Sequence, residues 1–424
     1  MKVAKNLSIG LLVICLLALN FCAAALGEEN PKLTRWTTWT EEDVEDVYTH
    51  VLSDVLDNVE LETVCVPGTE YEQKLKIAIT GGSAPDIFDV DGVYTANYAY
   101  IGALYPLDEF WDIEDFKSDY VQSSQDKCMF DGHIYAASLY ETACALFYNK
   151  DHFEAAGVEI PEDPNTPWTF EQLIDAAKKC TIVDETGTTV QYGLLPTMNA
   201  PDVNNEGTAF LQFFWLWNHG AEVFDADLTT ADGYFNSEKS IEALKEWQAL
   251  FQEYKVSPLE TVTQGFQTGK ISMMIHNISN CSNLDTSYPD INYGVMVLPA
   301  GENNYTTSGG WNIGISSGCE NPEAAWKIIE ALTGYEGHKA YCELKAFMPS
   351  RISVIEDMDL LQEYPLSVGR VQMLGNTRAR PVSPAYAELS PIFCEAVNAI
   401  AYGEDIEQTV NNAVKKMERV FVKY

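Results

Sequence analysis

Apolar positions recur along this chain in two alternating periods. Leu33 to Trp36 reads as a short strand, and Val44, Val47, Tyr48, Val51, Leu52 and Val55 then follow at helical spacing. Thr40 and Asp43 stand where a capping box would open that helix. Leu61 to Val66 is a second strand, and Tyr71, Leu75, Ala78 and Ile79 mark a helix that Gly81-Gly82 stops. Ile87 to Val90, behind Ala84-Pro85-Asp86, reads as a third, buried strand. Strands and helices in alternation argue for an α/β fold, whose ligands collect beyond the carboxyl ends of strands. Trp39 and Thr40, in the first strand-to-helix loop, and Asp91 and Tyr94, just past the third strand, are therefore candidate ligand contacts. Glu41, Glu42 and Asp43 fill the first turn of the first helix and would repel a phosphate or carboxylate, so a neutral or cationic ligand is expected.

Farther on, Asp131-Gly132 is a tight turn, the residues after it read as a strand, and Ala143 to Tyr148 is another short apolar run. Asn149 can cap a helix there that Gly157 ends. Thr169 and Gln172 form another capping pair. Phe210 to Trp217 is densely aromatic, and Phe213 and Trp217 are candidates for stacking on the apolar face of a ligand. Gly309-Gly310-Trp311-Asn312 precedes a strand; the glycines would let backbone approach a ligand and Trp311 would offer a ring face.

Composition narrows the class. With 46% hydrophobic and 12% aromatic residues among 424, the chain can pack more than one core. Its net charge of -37 opposes binding to phosphate backbones or anionic lipid, which excludes nucleic acid as a partner. Lys2 and Lys5, the apolar Ile9 to Leu19 and the small residues Ala23 to Gly27 read as a signal peptide over residues 1–27, so export is expected. Cys22 offers a point for lipid anchoring. The eight cysteines beyond the leader have wide, irregular spacing with no C-x-x-C, which favours buried thiols over a metal or redox site. Gly314-Ile315-Ser316-Ser317-Gly318 matches G-x-S-x-G, but such a hydrolase needs an acid and then a histidine after the serine, and the sole later histidine, His338, stands only 22 positions on, preceded only by the Glu residues of a helix, so the motif reads as a strand end. No catalytic, metal or cofactor site is expected. Paired carboxylates of a glycosidase stay open, since spacing in space decides them.

Gly132, Ile134, Tyr135, Leu146, Tyr148, Asn149, Lys150, Asp151, Phe153 and Gly157 match a signature of bacterial extracellular solute-binding proteins of family 1, the sugar-binding receptors of ABC importers. His133 and Ala136-Ala137-Ser138 depart from it. Gly82-Ser83-Ala84-Pro85-Asp86 and its strand, Pro167 to Leu173, Phe266 to Met274, Tyr293 to Gly301 and Met348 to Arg351 resemble further phrases of that family. The resemblance implies a two-lobed periplasmic-binding-protein fold of type II, its lobes joined by hinge crossings near Ser138 to Thr142, Leu298 to Ala300 and Phe347 to Ser350. Lobe one would hold residues 31–139 plus 300–347, and lobe two 140–299 plus 348–424. It implies a cleft loop at Asn277, and contacts from the hinge side by Tyr140, Glu141 and Arg351. It also implies a monomer in the periplasm or on the outer face of the membrane, passing a carbohydrate, an oligosaccharide by preference, to an ABC permease. A polyamine or other small-solute receptor, a sensor-type binding module and an exported carbohydrate-active enzyme are the alternatives.

Overall fold

The computed structural model describes residues 30–424 except 199 and 203–205. The signal-peptide and Cys22 readings lie outside the described residues. Four strands, β1 (Lys32–Thr37), β2 (Glu60–Cys65), β3 (Ile87–Asp91) and β6 (Ala137–Ser138), come before the chain leaves the first sheet. Between them a small hairpin pairs β4 (Met129–Phe130) with β5 (His133–Ile134). The chain then builds β7 (Cys144–Asn149), β8 (Ile182–Val183), β9 (Thr189–Leu195), β10 (Ile271–Asn277) and β11 (Tyr293–Met296). It returns through β12 (Thr306–Ser308) and β13 (Trp311–Ile315), and ends among helices after β14 (Thr377–Ala379).

Two five-stranded sheets result, in the orders β2-β1-β3-β13-β6 and β11-β7-β10-β9-β8. β1 lies parallel to β2 and β3, and β13 lies antiparallel to both β3 and β6. Each sheet is packed on both faces, so β3 and β7 are buried along nearly their whole length, β7 as an apolar run and β3 with Asp89 paired to the buried Arg35. In the second lobe the helices Glu206–Asn218, Glu238–Gln252, Tyr386–Ala401 and Ile406–Phe421 bury an aromatic-rich core against Leu146, Tyr148, Leu194, Met273 and Ile275.

The local signals act as the sequence suggested. Thr40 and Asp43 form a reciprocal capping box, as do Thr169 and Gln172. Asn149 caps the helix Lys150–Ala156, and Gly157 ends it in the left-handed region at φ 66°, where a side chain would be strained. Asp86 is structural: its Oδ2 accepts from the Thr34 amide and hydroxyl, each at 2.8 Å, fixing the turn into β3. The eight described cysteines form no disulfide, and six of them are buried. Among the described residues no helix is long and apolar enough to cross a membrane.

Three connections lie side by side between the sheets. The Glu141 amide donates to the Met348 carbonyl at 2.8 Å, and the Gly309 amide donates to Thr142 Oγ1 at 2.9 Å. β12, beside the second connection, also pairs in parallel with β14. Beneath them, Lys127 Nζ sits 2.7 Å from Glu141 Oε1, with both side chains wholly buried. Ser124 donates to Glu141 at 2.5 Å, Ser308 donates to its other oxygen, and Lys127 also donates to the Gly309 carbonyl.

Candidate ligand cleft

Strand direction decides what meets at the edge of the first sheet. β1 and β3 run parallel, so both end at this edge, at Thr37 and Asp91, followed by the Trp39 and Tyr94 loops. β13 runs the other way and begins at this edge, with Trp311 in register with Asp91. β6, antiparallel to β13, ends there at Ser138 and delivers Tyr140. In the second sheet β7 begins where β10 ends, so Cys144 pairs with Asn277 at the edge facing the connections. Trp39, Asp91, Tyr94, Tyr140, Trp311 and Asn277 thus gather around one interlobe region from distant parts of the chain.

A segment after β14 closes this region from the second lobe. Arg380, almost wholly buried, places Nη2 3.1 Å from Asp91 Oδ1 and Nη1 on Glu206, the first residue of the helix Glu206–Asn218. Glu206 also accepts from Tyr386 at 2.5 Å and from Ser390. Tyr386 lies 6.4 Å from Tyr94 between ring centroids, and Asn97 donates to the Pro384 carbonyl at 2.7 Å. Asp91, Glu206 and burial together hold Tyr94 well above the usual phenol range, burial being the largest cause. Burial pushes the Arg380 guanidinium down, but Asp91 and Glu206 outweigh it and its pKa is raised.

Glu72, in the first turns of the helix Gly68–Thr80, completes the group. Burial lifts its carboxyl to about 7, and Asp91 and Glu206 add to the rise, against a bond from Tyr98 at 2.7 Å and the charge of Lys76. A carboxyl whose pKa is raised on folding stabilises the fold fully below its unfolded value, near 4.5. That stabilisation is lost as pH rises through about 7, because the unfolded chain releases the proton first. Wild type should therefore lose stability relative to Glu72→Gln between pH 5 and 8; urea unfolding across that range checks it, and a constant difference would contradict it.

Several residues expected at the site are engaged elsewhere. Thr40 is spent on its helix cap. Trp39 stacks on Tyr341 at 5.3 Å, with the Arg35 guanidinium 4.1 Å from its ring centroid, so its ring is largely taken. Glu141 is buried against Lys127 and has no face toward a ligand. Phe213 is fully buried and stacks on Phe393 at 4.2 Å. Arg351 binds Asp119 at 2.8 Å and donates to the Thr333 carbonyl at 2.9 Å, fixing a turn of the first lobe. Gly309 and Gly310 serve the hinge: a Cβ on Gly310, at φ 113°, would lie 2.1 Å from the Tyr140 carbonyl. Tyr140 stacks on Phe347 at 4.1 Å, and burial raises its pKa. Trp311 is half-buried with the edge of Tyr71 against it at 5.5 Å, and Asn277 accepts from the Cys144 thiol at 3.4 Å.

The sequence reading passed over Glu72, Glu206 and Arg380. Trp217 is buried, yet it lines a groove of about 720 Å³ that borders the Arg380 segment. That groove runs between Asp126 to Asp131 and the second lobe, with Arg378 over the Trp217 ring at 4.3 Å and paired with Glu222 at 2.8 Å. Ser316 and His338 are not a catalytic pair. Ser316 follows the end of β13, whereas His338 is buried on Ser350, with its pKa lowered to about 3 by burial and by Arg351. Among the described residues no cluster of side chains could hold a metal ion.

Comparison with known proteins agrees with this architecture. A maltotriose-binding protein of Pyrococcus abyssi is 25% identical over 334 residues, covering 77% of this chain and 67% of that protein. A solute-binding protein of an ABC transporter from Thermotoga lettingae, solved with α-D-tagatose, superposes with a TM-score of 0.78 at 24% identity over 92% of this chain and all of its own. A substrate-binding protein from Listeria monocytogenes, solved with cycloalternan, gives 0.76 at 21% identity over 93% of this chain and all of its own. The model of the bacterial extracellular solute-binding proteins matches residues 57–339, and the chain, with its two lobes and laced hinge, belongs to that family.

Proposed function

We propose that this protein is the extracytoplasmic receptor of an ABC importer, that it binds a carbohydrate between its lobes, and that it hands this solute to a membrane permease without chemical change. The observation that carries the reading is the meeting, at one strand edge, of the half-buried Trp311 with the polar set Asp91, Glu206 and Arg380. A sugar needs both an apolar face for its C–H surface and fixed donors and acceptors for its hydroxyls. The sugars named for the Pyrococcus, Thermotoga and Listeria proteins support the same class. Residues 31–139 plus 300–347 form one lobe and 140–299 plus 348–424 the other, with the β12–β14 pair acting as part of the hinge. The receptor acts as an exported monomer.

Closure follows from the contacts that Arg380 makes to both lobes. A ligand that prefers the closed state shifts the population toward it. A glycan panel read by thermal shift should raise the melting temperature for at least one oligosaccharide, since a ligand of the folded state alone stabilises it. With that glycan at saturation, the radius of gyration from small-angle scattering should not exceed that of the free protein, and should fall where the free protein samples open forms. No response to any neutral or amino sugar, with a response to a non-sugar solute, would overturn the carbohydrate reading.

A further inference from the structure

Around the cleft three carboxylates face two cations. Asp91 and Glu206 are both occupied by Arg380, and Glu206 is further saturated by Tyr386 and Ser390. Lys76 carries its Nζ 5.0 Å from the Tyr94 ring centroid. Glu72 is different. Its Oε2 accepts from Tyr98, but its Oε1 is buried and takes no hydrogen bond from any described residue.

An ionisable oxygen withdrawn from water without a donor is costly, and a ligand that brings a donor there relieves the cost. We infer that the solute is a sugar bearing a primary ammonium group, received by Glu72 through its unpartnered Oε1 within the Glu72, Asp91 and Glu206 field. The inference rests on the carbohydrate reading and specifies its ligand. An ammonium group brings three donors and no acceptor, so it fits a site rich in carboxylate oxygen better than a hydroxyl does. It also brings the positive charge that this arrangement lacks once Arg380 is bound between Asp91 and Glu206. An acidic sugar would meet the opposite field. In the adjoining first turn Glu41 and Glu42 add to that bias at the same sheet edge, whereas Asp43 is neutralised by Lys345.

The same ammonium chemistry occurs in polyamines, and the test separates the two sources. Calorimetric titration of the folded protein would use four probes: the dimer of glucosamine, its N-acetylated form, maltotriose and spermidine. The glucosamine dimer is expected to bind at least about tenfold more tightly than the acetylated dimer, as a charge-assisted bond on a buried carboxylate requires. Glu72→Gln should bring that ratio close to one, and the wild-type ratio decides the matter if the variant does not fold. Equal or tighter binding of the acetylated dimer or maltotriose overturns the inference and leaves the carbohydrate reading standing. Spermidine binding with no sugar binding overturns both. Binding by neither amine overturns the inference.

Discussion

Lys127→Met is expected to destabilise the folded chain by roughly 3 to 5 kcal/mol, the usual cost of removing one partner from a buried ion pair. The charge left behind, on Glu141, is wholly buried and would keep only the hydroxyl donors Ser123, Ser124 and Ser308. Those donors lessen the loss but do not supply a countercharge. Lys127→Met combined with Glu141→Gln should recover much of the stability, because the second change removes the uncompensated charge itself. Urea unfolding of the two variants and wild type measures both effects. A loss below about 1 kcal/mol for Lys127→Met would mean that water reaches the pair and that the hinge is not sealed.

Trp311→Ala is expected to weaken sugar binding by about one to two decades, equivalent to roughly 1 to 3 kcal/mol of stacking and apolar contact. Trp311 opens β13 beside Asp91 and is half-buried, so part of its ring is left for a ligand. Its contact with Tyr71 means that the alanine variant also loses some stability. Trp311→Phe should therefore restore the melting temperature more fully than the affinity. Phe213→Ala provides the contrast, costing about 3 kcal/mol or more of stability as a core truncation. Unchanged affinity in Trp311→Ala would remove that ring from the cleft.

Local chemistry was legible in the sequence, whereas side-chain partnership across long separations was not. Capping pairs at Thr40/Asp43 and Thr169/Gln172 are formed by neighbours in the chain, so their spacing was sufficient. Asp91 and Trp311 could be placed because strand direction alone carries them to one edge. Phe213 was misplaced for a reason the sequence did contain: from Phe210 to Trp217 only Gln212 is polar, and a helix apolar all round is buried all round. Arg351 and Glu141 were given to a ligand since each stands at a crossing, but Asp119, far away in sequence from Arg351, and Lys127, on the helix Gln122–Cys128 ahead of Glu141, claim them first. Arg380 and Glu206 left no local mark, because neither has a partner nearby in the chain. Glu72 reads in the sequence as an ordinary exposed helix acid, and only the fold covers its carboxyl end.

The order of strands has a consequence for synthesis. β3 takes its second neighbour from β13, which is made only after every strand of the other sheet. Until then β3 presents an open edge of unpaired backbone groups, the kind of surface that pairs with a stranger when it waits too long. Non-local pairing of this sort is slow, and slow pairing leaves a growing chain exposed to aggregation. Changes in Trp311 to Ile315 will thus be felt twice, once in the finished receptor and once in how much of the chain survives to become one.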